Sequence, residues 1–112
     1  MPKARNRTYS STSKNAASLL GASIRSARIQ RRMTAVELAE RAGVSRGLVR
    51  RVENGDMEAA IGPAFEMAAI LGIPLFDPDA GQLARSLHHV RSINALLPSR
   101  AVPPRTDPDD DF

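Results

Sequence analysis

Apolar residues in this chain gather in clusters that repeat at three- and four-residue spacing, with Gly, Ser, Thr and Pro between them. Leu20, Ile24 and Ala27 share one face while Arg25, Arg31 and Arg32 point elsewhere, which predicts a helix over about 16–32. Thr34 and Glu37 have the spacing of a capping box and open a second helix, with Leu38, Ala39 and Ala42 as its buried stripe. Gly43 suits the left-handed residue that ends such a helix. Ser45 then caps a third helix, running to about Asn54, with Leu48, Val49 and Val52 inward and Gly55 closing it. A fourth starts near Gly62-Pro63 and continues through Phe65, Ala68, Ala69 and Leu71 to Gly72. Ile73-Pro74-Leu75-Phe76 reads as a short apolar turn or helical piece, and a final helix runs over about 79–97. There is no strand-like alternation and no internal repeat, so the expected fold is all-α.

The two ends differ from the middle. Residues 1–15 are polar and basic with no apolar period, and read as a disordered N-terminal arm. Residues 98–112 hold four Pro and four Asp and read as an extended or disordered acidic tail. Between them the pattern divides into 16–76 and a C-terminal helical segment, 77–97. With three Phe, one Tyr and no Trp, the core has to come from Leu, Ile, Val, Ala and Met. A core that small is marginal alone and favours a homodimer. No cysteine is present, which removes disulfides and thiolate metal sites. No apolar run approaches the roughly 18 residues of a membrane span, and no apolar leader is visible, so a cytoplasmic protein is expected.

Charge divides the chain further. Residues 1–55 carry twelve Lys or Arg against three Glu, a net of +9, whereas residues 56–112 carry four Arg against nine acids, a net of −5. Such asymmetry points to two partners of opposite charge. No phosphate loop, nucleophile motif or catalytic carboxylate pair is evident, so no enzymatic activity and no cofactor are expected. His88 and His89 are adjacent and face different sides of a helix, with no Glu at ligand spacing, so they make no metal site.

The chemistry concentrates in Thr34–Gly55: two short helices, a tight Gly-containing turn, and a second helix with a sparse apolar stripe and several exposed basic positions. A helix-turn-helix needs these features, with its second helix entering the DNA major groove. Leu38-Ala39, Gly43, Ser45, Val49 and Glu53-Asn54-Gly55 resemble the helix-turn-helix of lambdoid phage repressors and Cro-like proteins, the Xre class. The resemblance spans about Leu20 to Phe76. It implies a five-helix lambda-repressor-like DNA-binding domain, to which the C-terminal helix and the tails are additions.

The same resemblance implies residue roles. Arg28 would pair with Glu53 and pin the first helix to the third; the alternative for Arg28 is a phosphate contact. Ser45, Arg46, Gly47, Arg50 and Arg51 would face bases, Arg being able to grip guanine O6 and N7 together. For Arg50 and Arg51 the alternative is phosphate contact alone. Ala35 stands where the family usually has a phosphate-contacting Gln, which shifts that role to Arg32, Thr34 or backbone N–H groups, and Asn54 matches a further phosphate contact. The following loop, Asp56-Met57-Glu58, lacks the basic residues common there. Arg5 and Arg7 can follow a minor groove, or the arm serves solubility only.

In the last helix Leu83, Leu87, Val90, Asn94 and Leu97 recur four and three apart, a heptad seam with a polar residue able to fix register. It serves either packing on its own domain or a two-fold dimer, the latter implying a palindromic operator in double-stranded DNA. The tail, with Arg100, Arg105, Asp109, Asp110, Asp111 and Phe112, resembles that of short Xre proteins that act as antitoxins of HipA-type kinase toxins. That resemblance implies repression of the protein's own operon and neutralisation of a toxin; a solubilising or charge-screening tail is the simpler reading. A stand-alone regulator and an adaptor that has lost DNA binding are the competing functions.

Overall fold

A computed structural model describes residues 8–101, 103 and 104 of the chain. Five helices follow one another among them: α1 Ser11–Gln30, α2 Ala35–Ala42, α3 Arg46–Glu53, α4 Ile61–Ile70 and α5 Ala80–Ala95. The architecture is all-α. The chain divides into two compact units, residues 1–78 with α1 to α4 and residues 79–112 with α5.

α1 begins at Ser11, inside the stretch whose polarity predicts an arm. Its start is set by a cap, not by apolar spacing: Ser10 Oγ accepts from the Ser13 amide at 3.2 Å. The added residues 11–15 are all exposed, so they leave no apolar period to read. The other predicted caps form as the residue types require. Thr34 Oγ1 accepts from the Glu37 amide at 3.1 Å while Glu37 Oε1 accepts from the Thr34 amide at 3.3 Å. Ser45 Oγ accepts from the Leu48 amide at 3.1 Å. α4 starts at Ile61 without a side-chain cap, and Pro63 falls in its first turn, where the missing N–H has no partner to lose.

All four helices of the first unit end the same way. A left-handed residue follows the helix, and the next amide reaches back five residues: Met33 to Arg28 O, Val44 to Ala39 O, Asp56 to Arg51 O and Ile73 to Ala68 O. Gly43, Gly55 and Gly72 supply three of the left-handed positions, and Arg32 (φ 54°) supplies the fourth, where a side chain is strained.

The core of this unit is aliphatic: Ile24, Met33, Leu38, Ala39, Val49, Val52, Ala64, Met67, Ala68 and Leu71. α3 packs on α1 and α2, and α4 packs on the same two helices. On α4 the buried stripe is Ala64, Met67, Ala68 and Leu71, so Phe65 is only half-buried and Ala69 is exposed. Ile73 and Pro74 have no regular structure, and an isolated bridge between Leu75 and Asp77 brackets Phe76, which is left-handed and 91% exposed.

In the second unit, Asp79 Oδ1 accepts from the Gly81 amide at 2.9 Å and starts α5. No residue of α5 is buried. Leu83, Leu87, Val90 and Asn94 lie on the helix, but the helix stops at Ala95, so Leu97 falls beyond it and only its amide reaches back, to Asn94 O at 3.1 Å. Ile93, absent from the predicted seam, adds to the half-exposed apolar residues of this helix.

Gly21 lies where α1 presses on the backbone of α3. A Cβ there would overlap the Val52 carbonyl oxygen and lie 2.9 Å from that of Glu53. Nothing flexible stands in the way, since both obstacles are backbone. Gly21→Ala is therefore expected to cost about 3 kcal/mol, the upper end for overpacking, and to lower Tm accordingly. Gly47→Ala, where the added methyl meets nothing closer than Ser45 Oγ at 3.9 Å, is expected to leave Tm unchanged or raise it. Thermal unfolding followed by circular dichroism separates the two.

Candidate nucleic-acid interface

α3 turns one side inward and the other to solvent. Val49 and Val52 are buried on the core. Arg46 and Arg50, like Gly47 and Arg51, are four apart, so they form two adjacent rows on the outer side, with Ser45 at the leading end. All five are exposed. Gly47 removes the side chain from the middle of this surface and leaves open space there.

The helix is held in place at its far end. Arg28 Nε donates to Glu53 Oε2 at 2.7 Å and its Nη2 to Glu53 Oε1 at 3.0 Å, a two-bond fork. Its Nη1 donates to the Met33 carbonyl at 2.9 Å, so the guanidinium also closes the α1–α2 corner. The bond to Glu53 holds Arg28 above its already high ordinary pKa, against the opposing effect of burial. The side chains are only 10% and 5% exposed, and Arg28 spends Nε, Nη1 and Nη2 on partners inside the protein. Removing one partner of such a pair costs about 3–5 kcal/mol, because it strands a buried charge. Arg25, mostly exposed, stands 4.0 Å from Glu53 Oε1 at the rim.

Arg51 is not free on the surface. Its Nε donates to Asp56 Oδ2 at 2.6 Å, across the Gly55 corner. Asp56 Oδ1 in turn accepts from the Glu58 amide at 2.8 Å. The pair is not among the contacts expected from the sequence, where its one signal is an acid five residues after an Arg, across a helix-ending Gly. Arg46 and Arg50 have no ion-pair partner among the described residues.

The expected phosphate contacts are placed unevenly. Arg32 is exposed at the α1–α2 corner and Asn54 is exposed at the end of α3. The Thr34 hydroxyl already accepts from the Glu37 amide and donates to Glu37 Oε1 at 3.1 Å, so a phosphate would have to displace that carboxylate. Arg5, Arg7, Arg105, Asp109, Asp110, Asp111 and Phe112 lie outside the described residues, and Arg100 is exposed. No helix among the described residues is long and apolar enough to cross a membrane.

The Arg51 bond, and secondarily the Glu58 amide, hold the Asp56 carboxyl below the usual range. Because its folded pKa lies below the unfolded one, the stability it adds is present above the ordinary carboxylate range and is lost as pH falls through the lowered value. Carboxyl-carbon NMR titration of Asp56 is expected to give a midpoint below that of a free Asp, moving back up in Arg51→Ala. An unchanged midpoint in that variant would show that the pair does not form in solution.

Comparison with known proteins agrees with this geometry. No curated protein and no solved structure matches the chain. Residues 24–77 match a protein-family model described as helix-turn-helix. The matched segment runs from the buried Ile24 of α1 to the bridge after α4, and so takes in the Arg28–Glu53 fork and the whole exposed side of α3. Over this segment, just under half of the chain, the protein is similar to helix-turn-helix domains.

Proposed function

We propose that this protein is a sequence-specific transcriptional repressor that reads double-stranded DNA with the outer side of α3. The observation that carries it is the placement of Ser45, Arg46, Gly47, Arg50 and Arg51 on one exposed surface of a helix whose other side is locked to the core by Val49, Val52 and the Arg28–Glu53 fork. Arg46 and Arg51 are the base readers, each able to grip guanine by two bonds. Arg32 and Asn54 flank them as phosphate contacts, and Arg5 and Arg7 extend the basic surface in sequence. Binding to a duplex selected from a random library is expected to weaken by about 1–3 kcal/mol in Arg46→Ala, with preference relaxed at one base pair per half-site. A uniform loss across all sequences would make Arg46 a phosphate contact instead.

The operator is a palindrome read by a homodimer, and α5 supplies the dimer contact. An amphipathic helix of sixteen residues with none buried among the described residues, and with Leu87 and Val90 about half exposed, supports this reading. The double variant Leu87→Asp, Val90→Asp is expected to sediment as a monomer in analytical ultracentrifugation. A variant that remains dimeric places the interface elsewhere.

The repressor acts as the antitoxin of a HipA-like kinase toxin. Support for this comes from the resemblance of residues 98–112 to antitoxin tails and from the opposite charges of the two halves. A stand-alone regulator is the alternative. Co-purification with a kinase encoded beside it, lost on deleting residues 98–112, distinguishes the two.

A further inference from the structure

We propose that Asp56 is a positioning residue for base recognition: it holds Arg51 by Nε and so aims the two terminal nitrogens of the guanidinium at a single guanine. This rests on the reading of Arg51 as a base reader. The atom used matters. Asp56 Oδ2 takes the Nε proton at 2.6 Å, and neither terminal nitrogen of Arg51 has a partner among the described residues. Those two nitrogens form the end of the planar fork that matches guanine O6 and N7. A clamp on either of them would have spoiled the match.

The carboxylate is itself fixed. Oδ1 accepts from the Glu58 amide at 2.8 Å, and the Ala59 amide returns to Asp56 O at 3.2 Å, closing a tight turn. The Asp56 amide donates to Arg51 O at 3.0 Å, so the two residues are joined by backbone as well as by side chain. Tyr9 adds a tether from the start of α1, its hydroxyl donating to Glu58 Oε1 at 3.1 Å. A long side chain on the surface normally samples many rotamers, and binding has to select one. Here that selection is made before DNA arrives, which sharpens discrimination between bases more than it raises affinity. Arg46 and Arg50 have no such clamp.

Asp56→Asn is the discriminating variant. One amide oxygen can still accept from Glu58 and preserve the turn, while the amide nitrogen then faces the Arg51 Nε donor, so the clamp is lost. The full chain, wild type and variant, is used to select sites from a random duplex library, alongside Arg51→Ala and the double variant. Asp56→Asn is expected to reduce guanine preference about five- to tenfold at the one position per half-site that Arg51→Ala also relaxes. Its affinity for an unselected duplex should stay level or rise, since a negative charge has left the surface beside Arg51, and its Tm should fall only slightly, as the loss of one exposed ion pair allows. The double variant should show no loss beyond that of Arg51→Ala. Guanine preference retained in Asp56→Asn overturns the proposal. So does a preference that sharpens, which would make Asp56 a restraint on Arg51 instead of an aim. A loss spread over all positions would assign Asp56 a purely structural role and likewise overturn it. If Arg51→Ala relaxes no position, Arg51 reads no base, and that reading falls together with the proposal.

Discussion

The Arg28 guanidinium and the Glu53 carboxylate meet where neither is well reached by water, and α3 depends on their meeting. An eight-residue helix does not persist in water on its own. Two buried valines anchor the middle of α3, and the fork with Arg28 anchors its end. The same guanidinium binds the carbonyl of Met33, at the corner where α1 hands over to α2. One cation therefore ties together the first helix, the corner that begins the helix-turn-helix, and the helix that presents the arginines. A lysine could not do this, because three bonds in three fixed directions need the planar fork.

Placing one end of α3 in a charged, buried clamp, with only the Ser45 cap at the other, leaves its outer side free of structural duty. Arg46, Gly47 and Arg50 contribute nothing to the core, so they are available for contact with a partner. Arg51 sits at the boundary between the two roles, partly exposed and bound to Asp56. The helices that hold this machinery all lie before Pro78, and α5 belongs to a separate unit in which no residue of the helix is buried among the described residues.

Much of this was legible in the sequence, because local chemistry decided it. Thr34, Glu37, Ser45, Gly43 and Gly55 have short-range reasons to sit where they do, and the helices they bound follow their caps. The Arg28–Glu53 pair was reached through family resemblance, since nothing local relates residues twenty-five apart. What escaped had several causes. The start of α1 rests on a serine cap before a run with no apolar period, so periodicity was silent. The inner side of α4 is not legible because Glu66 is the one polar side chain of Ile61–Ile70 and gives too little contrast to mark it. The Arg51–Asp56 pair is local, but a five-residue step across a helix-ending glycine is not a helical spacing. The constraint on Gly21 arises from tertiary proximity of α1 and α3, and a glycine within a helix carries no mark of what will press against it.

That glycine has a consequence for how the core responds to lost volume. When a buried side chain is shortened, neighbouring helices usually slide together and reclaim part of the space, which is why the cost of a truncation varies so widely between sites. Here α1 and α3 already touch backbone to backbone at Gly21 and Val52. They can move apart but not closer. A void opened beside this contact, at Ile24 or Val49, has no sliding motion to close it, and the interior around α3 behaves as an incompressible seat for the helix it supports.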